Sequence, residues 1–302
     1  MNRQLVFIHG RAQENKDSLA LKAEWIADLK TGLEKSNLTL PIAETDIHFP
    51  FYGDVLYNLV AGKSAADAGE IIVRGAQDDT RERVFIKAVL DEVLKENNIE
   101  DDDLVAIAGS DFIERGPLNN KWVLAVLRAI DARIPGGSGF AIALATHDVF
   151  KYLYDSNIRK IIENGVRATL NSTRETVVVS HSLGTVVAYT LLLRDGTQAG
   201  WKVPQFVTLG SPLAVTAIRA ALKATVAPAQ CPQCVGKWFN ARDDLDVVAL
   251  YSLTKDHFPL SPETPSIENK IDIKNGTPNH HGISGYLGDR DVAKRIYDAL
   301  TA

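Results

Sequence analysis

Apolar residues along the chain come in two rhythms. Short continuous runs, Leu5–Ile8, Asp46–Pro50, Val177–Val179, Gln205–Leu209, Lys237–Ala241 and Lys270–Ile273, are too short for helices and read as buried strands. Between them lie stripes at helical spacing. Ser18–Leu33 keeps Leu19, Ala23, Ile26, Ala27, Leu29 and Leu33 on one side, and Asp289–Leu300 places Val292, Ile296 and Leu300 at i, i+4 and i+8. Leu183–Leu193 is a third such helix. Short apolar strands alternating with amphipathic helices predict a mostly parallel sheet of about six strands, covered on both faces.

One region departs from the alternation. Residues 55–170 carry helical pattern and little strand: Arg83–Leu94, Trp122–Ile130, Val149–Leu153 and Ile158–Leu170, with a break at Pro135-Gly136-Gly137-Ser138-Gly139. The segment reads as a helical insertion within a single domain spanning 1–302. It is too long for a structureless connection. The acidic run Glu100–Asp103 inside it reads as a solvated turn.

The segment VVVSHSLGTVVA, residues 177–188, sets five small or polar residues between two apolar runs. A strand that turns into a helix within so few residues forces its central residue into a strained conformation, and bulky neighbours two before and two after would collide. Ser180 and Gly184 flank Ser182 at that spacing. The turn lifts the Ser182 hydroxyl to a helix N-terminus, where backbone N–H groups face outward.

The segment resembles the G-x-S-x-G nucleophile elbow of the α/β-hydrolase superfamily of serine hydrolases, with Ser180 in place of the first glycine and His181 before the serine. Leu5-Val6-Phe7-Ile8-His9-Gly10-Arg11 is similar to that family's third strand followed by His-Gly. The resemblance implies an α/β-hydrolase fold lacking the first two strands of larger members, with the helices of 55–170 as a cap. It implies oxyanion donors at the backbone N–H groups of Arg11 and Leu183, with His9 and Gly10 as supporting loop residues. It also implies the triad order serine, acid, histidine. Asp246, in Asp246-Val247-Val248 beyond strand Lys237–Ala241, fits the acid, with Asp243 as the alternative. In Asn279-His280-His281-Gly282-Ile283-Ser284-Gly285-Tyr286-Leu287, His281 fits the base better than His280, because its H-x-I-x-G-Y-L context is similar to that of relatives. His48 and His147 precede the serine, and His257 precedes the last strand.

The activity implied is cleavage of a carboxylic ester or acyl lipid through an acyl-enzyme, without cofactor or metal. Thioesterase, peptidase and acyltransferase chemistry remain open on the same residues, as does a non-catalytic binding protein on the same scaffold. Phe112, Trp122 and Gly136–Gly139 are the expected wall and hinge of an acyl pocket.

The composition, 45% hydrophobic and 24% charged over 302 residues, is that of a globular protein, and the net charge of −5 argues against a nucleic-acid partner. No apolar run reaches the length of a membrane span or of a signal h-region, so a cytoplasmic protein is expected, with peripheral membrane contact left open. Cys231 and Cys234, in Cys-Pro-Gln-Cys, lack the further ligands a zinc site requires and read as a surface turn able to close a disulfide.

Overall fold

The computed structural model describes residues 3–10, 17–55, 80–108, 120–134, 139–263 and 265–302. Arg11, Phe112, Gly136 and Gly137 lie outside them. Six strands, β1 (Arg3–Ile8), β2 (Ile47–His48), β3 (Glu175–His181), β4 (Val203–Leu209), β5 (Val235–Asp243) and β6 (Ile267–Ile273), form one sheet in the order β2-β1-β3-β4-β5-β6. Every neighbouring pair is parallel. The fold is α/β.

Alternation along the strands sorts the core into two halves. Leu5, Phe7, Val177, Val179, Val207, Leu209, Phe239 and Ala241 face helices α1 (Ser18–Glu34) and α10 (Arg290–Thr301). Val6, Ile8, Val178, Phe206 and Trp238 face the other way, into a larger cluster. That cluster takes in α2 (Thr80–Glu96), α3 (Asp101–Ala108), α4 (Asn120–Arg133), α5 (Gly139–Tyr154), α6 (Ser156–Arg167), α7 (Leu183–Arg194) and α8 (Thr216–Thr225). Helices α5 and α6 pack on α7, and α2 and α5 pack on α8, so the helices of 80–167 continue the core of one sheet face outward. Trp122 is fully buried there, with Lys87 Nζ 5.1 Å from its ring centroid.

Several features differ from the sequence-based reading, among them a short helix over Ile283–Leu287 in the histidine loop. Asp101–Asp103 open helix α3 instead of forming a turn, and three carboxylates in a first turn suit the positive end of the helix dipole. Helix α8 occupies a stretch where no element was expected. The Cys231–Cys234 turn is not a surface feature: Cys231 is buried, and Cys234 lies against α7 with its Sγ 3.6 Å from the Leu192 carbonyl. Both are free thiols, and burial pushes each up to about 11.

In chain order β1 is followed by β2 on one side, and the chain then returns past β1 to β3 on the other. The strand order therefore reverses at β1 and β3. In open parallel sheets the crevice beyond the carboxyl ends of strands at such a reversal is where ligands bind. Ser182 follows β3, and Gly10 lies just beyond β1.

Candidate active site

Ser182 joins β3 to α7 with φ 55° and ψ −129°, a conformation close to one that only glycine adopts freely. The fold holds it there from both sides. The Ser182 N–H donates to the Leu209 carbonyl of β4 at 3.1 Å, and its own carbonyl accepts from the Thr185 N–H and hydroxyl. Thr185 Oγ1 in turn lies 2.9 Å from Ser211 Oγ.

The small flanking residues have distinct causes. A Cβ on Gly184 would stand 2.2 Å from the Ile8 carbonyl oxygen and 2.6 Å from that of His9, because α7 crosses directly over the end of β1. Ser180 is fully buried and tolerated in place of glycine, since its hydroxyl donates to the Val207 carbonyl at 3.0 Å. A Cβ on Gly10 would fall 2.6 Å from Ser182 Cβ and 3.1 Å from its Oγ. The loop after β1 thus passes against the serine side chain, and only glycine fits.

His9 anchors that loop. Its Nδ1–H donates to the Gly10 carbonyl at 2.7 Å and its Nε2 accepts the Tyr52 N–H at 3.1 Å. The Tyr52 hydroxyl donates to the His9 carbonyl, and the two rings stack with centroids 3.9 Å apart. Burial lowers His9 to about 4, only partly offset by its bond to Gly10, so the ring is neutral and holds one tautomer. Leu183, the first residue of α7, is buried beside Ser182, and its N–H belongs to the first turn of the helix.

Asp246 and His281 meet from different loops. His281 Nδ1 lies 2.8 Å from Asp246 Oδ2. The carboxylate is almost fully buried yet takes four donors: His281 and the Tyr286 hydroxyl (2.6 Å) on Oδ2, and the Val248 and Ala249 N–H groups (2.9 and 3.2 Å) on Oδ1. Burial works to raise its pKa, but His281 and these hydrogen bonds outweigh it and hold Asp246 below the ordinary carboxylate range. An ionised Asp246 keeps a proton on Nδ1 and leaves Nε2 of a neutral His281 as an acceptor.

The alternatives sit elsewhere. Asp243 accepts the Leu245 and Asn275 N–H groups, at 2.8 and 2.6 Å, and so ties the turn after β5 to the histidine loop. His280, at φ 54°, directs Nδ1 to the Asn275 carbonyl at 3.0 Å, with Asp243 3.7 Å away. The two Asp–His neighbours are therefore unequal, one a short hydrogen bond and the other a looser contact.

His181 closes the site on the sheet side. Its ring centroid lies 4.7 Å from that of His281, and its Nε2–H donates to the His281 carbonyl at 2.7 Å. Burial, reinforced by the nearby His281, lowers His181 to about 3. Gly210, at φ 55° after β4, completes the floor: a Cβ there would come 3.1 Å from Asp246 Oδ2 and Tyr286 Cε2, and 3.2 Å from His281 Cε1.

Of the residues expected from sequence, the structure thus gathers Ser182, Gly10, His9, Ser180, His181, Leu183, Gly184, Asp246 and His281 at the carboxyl ends of β1 and β3–β6. Tyr52, Gly210, Asn275 and Tyr286 were given no role by the sequence. For Gly210 a signal existed, a glycine closing an apolar strand before Ser-Pro. Among the described residues, no three His, Cys, Asp or Glu side chains converge as metal ligands, and no helix is long and apolar enough to cross a membrane.

These features define an α/β chain with a strained serine and a carboxylate-paired histidine at the switch point of an all-parallel sheet. Set against protein-family models, curated proteins and solved structures, the chain matches none of them.

Proposed function

We propose that the chain is a serine hydrolase of α/β-hydrolase type that cleaves a carboxylic ester or acyl lipid. The observation that carries this reading is the presence, at the same end of the sheet, of a strained Ser182 at a helix N-terminus and a hydrogen-bonded His281–Asp246 couple.

In this reading His281 Nε2 takes the Ser182 hydroxyl proton as Oγ attacks the acyl carbon. Asp246 holds the tautomer and stabilises the imidazolium. The Leu183 N–H receives the developing oxyanion, and the resemblance assigns the second donor to the Arg11 N–H. His281 passes its proton to the leaving alcohol. Water then hydrolyses the acyl-enzyme with the same histidine as base, which regenerates Ser182.

The helices of 80–167 are the proposed cap. Support comes from Glu92 on α2, whose carboxylate accepts the Thr216 N–H and hydroxyl at the start of α8, on the loop leaving β4. One part of this helical layer thereby reaches the loops that frame the site.

Intact-protein mass spectrometry after treatment with a fluorophosphonate tests the reading. One adduct is expected, located on Ser182 and absent in Ser182→Ala. An unlabelled wild-type protein would overturn it. A panel of acyl esters and thioesters of varied chain length would then define the substrate.

A further inference from the structure

The oxygen of Asp246 that binds His281 has a second donor. Tyr286, on helix α9 (Ile283–Leu287), is fully buried, and its hydroxyl donates to Asp246 Oδ2, the same oxygen that receives His281 Nδ1–H. The hydroxyl also accepts the Asp243 N–H at 3.2 Å, so it is fixed from both sides. The ring lies close against Gly210, where an added Cβ would come 3.1 Å from Tyr286 Cε2.

We propose that Tyr286 is a positioning residue that shares Oδ2 of Asp246 with His281 and so sets how strongly the carboxylate stabilises protonated His281. The inference rests on the hydrolase reading for its catalytic meaning, but its geometry does not. A hydrogen bond donated to a carboxylate lowers the charge it offers to a second donor. With the hydroxyl in place, His281 gives up its proton more readily, which favours the free base needed to activate Ser182. Among the described residues, the His281 imidazole has Asp246, from the loop after β5, at hydrogen-bond distance and the His181 ring from β3 beside it. Tyr286, from α9, acts on it through the shared Asp246 oxygen, and the looser contact of neighbouring His280 with Asp243 lies next to it in the chain. His181, lowered to about 3, stays neutral through the working range and adds no competing titration there.

The tyrosine also explains the H-x-I-x-G-Y spacing. Asn275 Oδ1 lies close against Gly285, and Asn275 Nδ2 donates to the Gly282 carbonyl at 2.8 Å. These contacts seat the turn from which α9 presents residue 286 to the acid.

The test is a pH titration of the His281 ring by 1H–15N NMR in wild type and Tyr286→Phe, alongside the pH dependence of Ser182 labelling by a fluorophosphonate. In Tyr286→Phe the His281 midpoint, and with it the acid limb of labelling, should move up by about half a pH unit or more. Site-specific 3-fluorotyrosine at 286, a stronger donor that keeps the ring, should move both down and covers the case in which the phenylalanine variant folds poorly. A merely structural tyrosine would scale the labelling rate at all pH values without moving either midpoint. Unmoved midpoints, or shifts of the same sign in both variants, overturn the inference. A wild type that never labels sinks the hydrolase reading alone, because the ring titration still reports whether Tyr286 tunes His281.

Discussion

His181 Nε2 holds the main-chain carbonyl of His281 at 2.7 Å, so the residue just before the candidate nucleophile anchors the loop that carries the candidate base. Chain neighbours of Ser182 therefore set the register of a residue 100 positions later. Replacing His181 by phenylalanine keeps a ring but removes the donor. Labelling of Ser182 should fall about tenfold or more, since small misplacements of a base are costly. Glutamine, whose amide can donate to the same carbonyl, should recover much of the loss. Equal rates in both variants would show that the bond does not position His281.

Asp246→Asn should slow Ser182 acylation on the order of 10⁴-fold, because the amide no longer enforces the Nδ1–H tautomer. Asp243→Asn should act on stability instead. Its two oxygens accept two main-chain N–H groups, and an amide can accept with only one of them. One buried N–H then faces another donor, which costs about 1–3 kcal/mol. Labelling kinetics and urea unfolding on both variants separate the two effects. A larger rate loss at Asp243 would move the acid there.

His281→Ala should abolish labelling, and His280→Ala should leave most of it. His280 makes its closest side-chain bond to a main-chain carbonyl rather than to a carboxylate. Comparable losses in both would refute the assignment of the base.

Two glycines should respond to alanine with opposite signs. At Gly184 the new methyl meets two backbone carbonyls that cannot move aside, so destabilisation of about 2–3 kcal/mol is expected. At Gly165, within α6, nothing lies within 4 Å of the added Cβ, and alanine should stabilise by about 0.5–1 kcal/mol through helix propensity. Thermal melts of the two variants decide both.

Stability should also fall in mild acid. Burial lowers His9 to about 4 and His181 to about 3, so between those values and the ordinary 6.5 the unfolded chain binds protons that the folded chain refuses. Stability is then greatest above about pH 6.5 and declines by about 1.4 kcal/mol per pH unit for each ring as pH drops toward 4. Urea unfolding at pH 7, 6 and 5 should show this slope, reduced in His181→Gln. A flat profile from pH 7 to 5 would contradict it.

The strands were legible because a strand buried on both faces is apolar without interruption, as in Leu5–Ile8 and Val177–Val179. The strained strand-to-helix turn at Ser182 was legible because its demand for small residues is local. Helix α8 was not, since its first N–H is capped by Glu92, 124 residues earlier, and its N-cap residue Val215 offers no side-chain bond. Asp101–Asp103 misled because the same charges suit a solvated turn and a helix start. The pairing of Asp246 with His281 came only through a family resemblance. The roles of Tyr286 and Gly210 depend on contacts between distant loops, which no spacing along the chain encodes.

The register of β1 against β3 pairs Arg3 with Glu175, 172 residues apart, while β2 offers β1 only two paired residues. During synthesis, Leu5–Ile8 leaves the ribosome long before its main partner exists. Closing a loop of that size costs about 4–5 kcal/mol in chain entropy, to be met before the pairing returns anything. The helices of 80–167, whose contacts are more local, are in a position to form first and shorten the gap. Until β3 arrives, an apolar strand with one open edge is exposed to other nascent chains. The place of β1 inside the finished sheet, with its main partner so far along the chain, therefore makes it a segment that gains from shielding while the chain is being made.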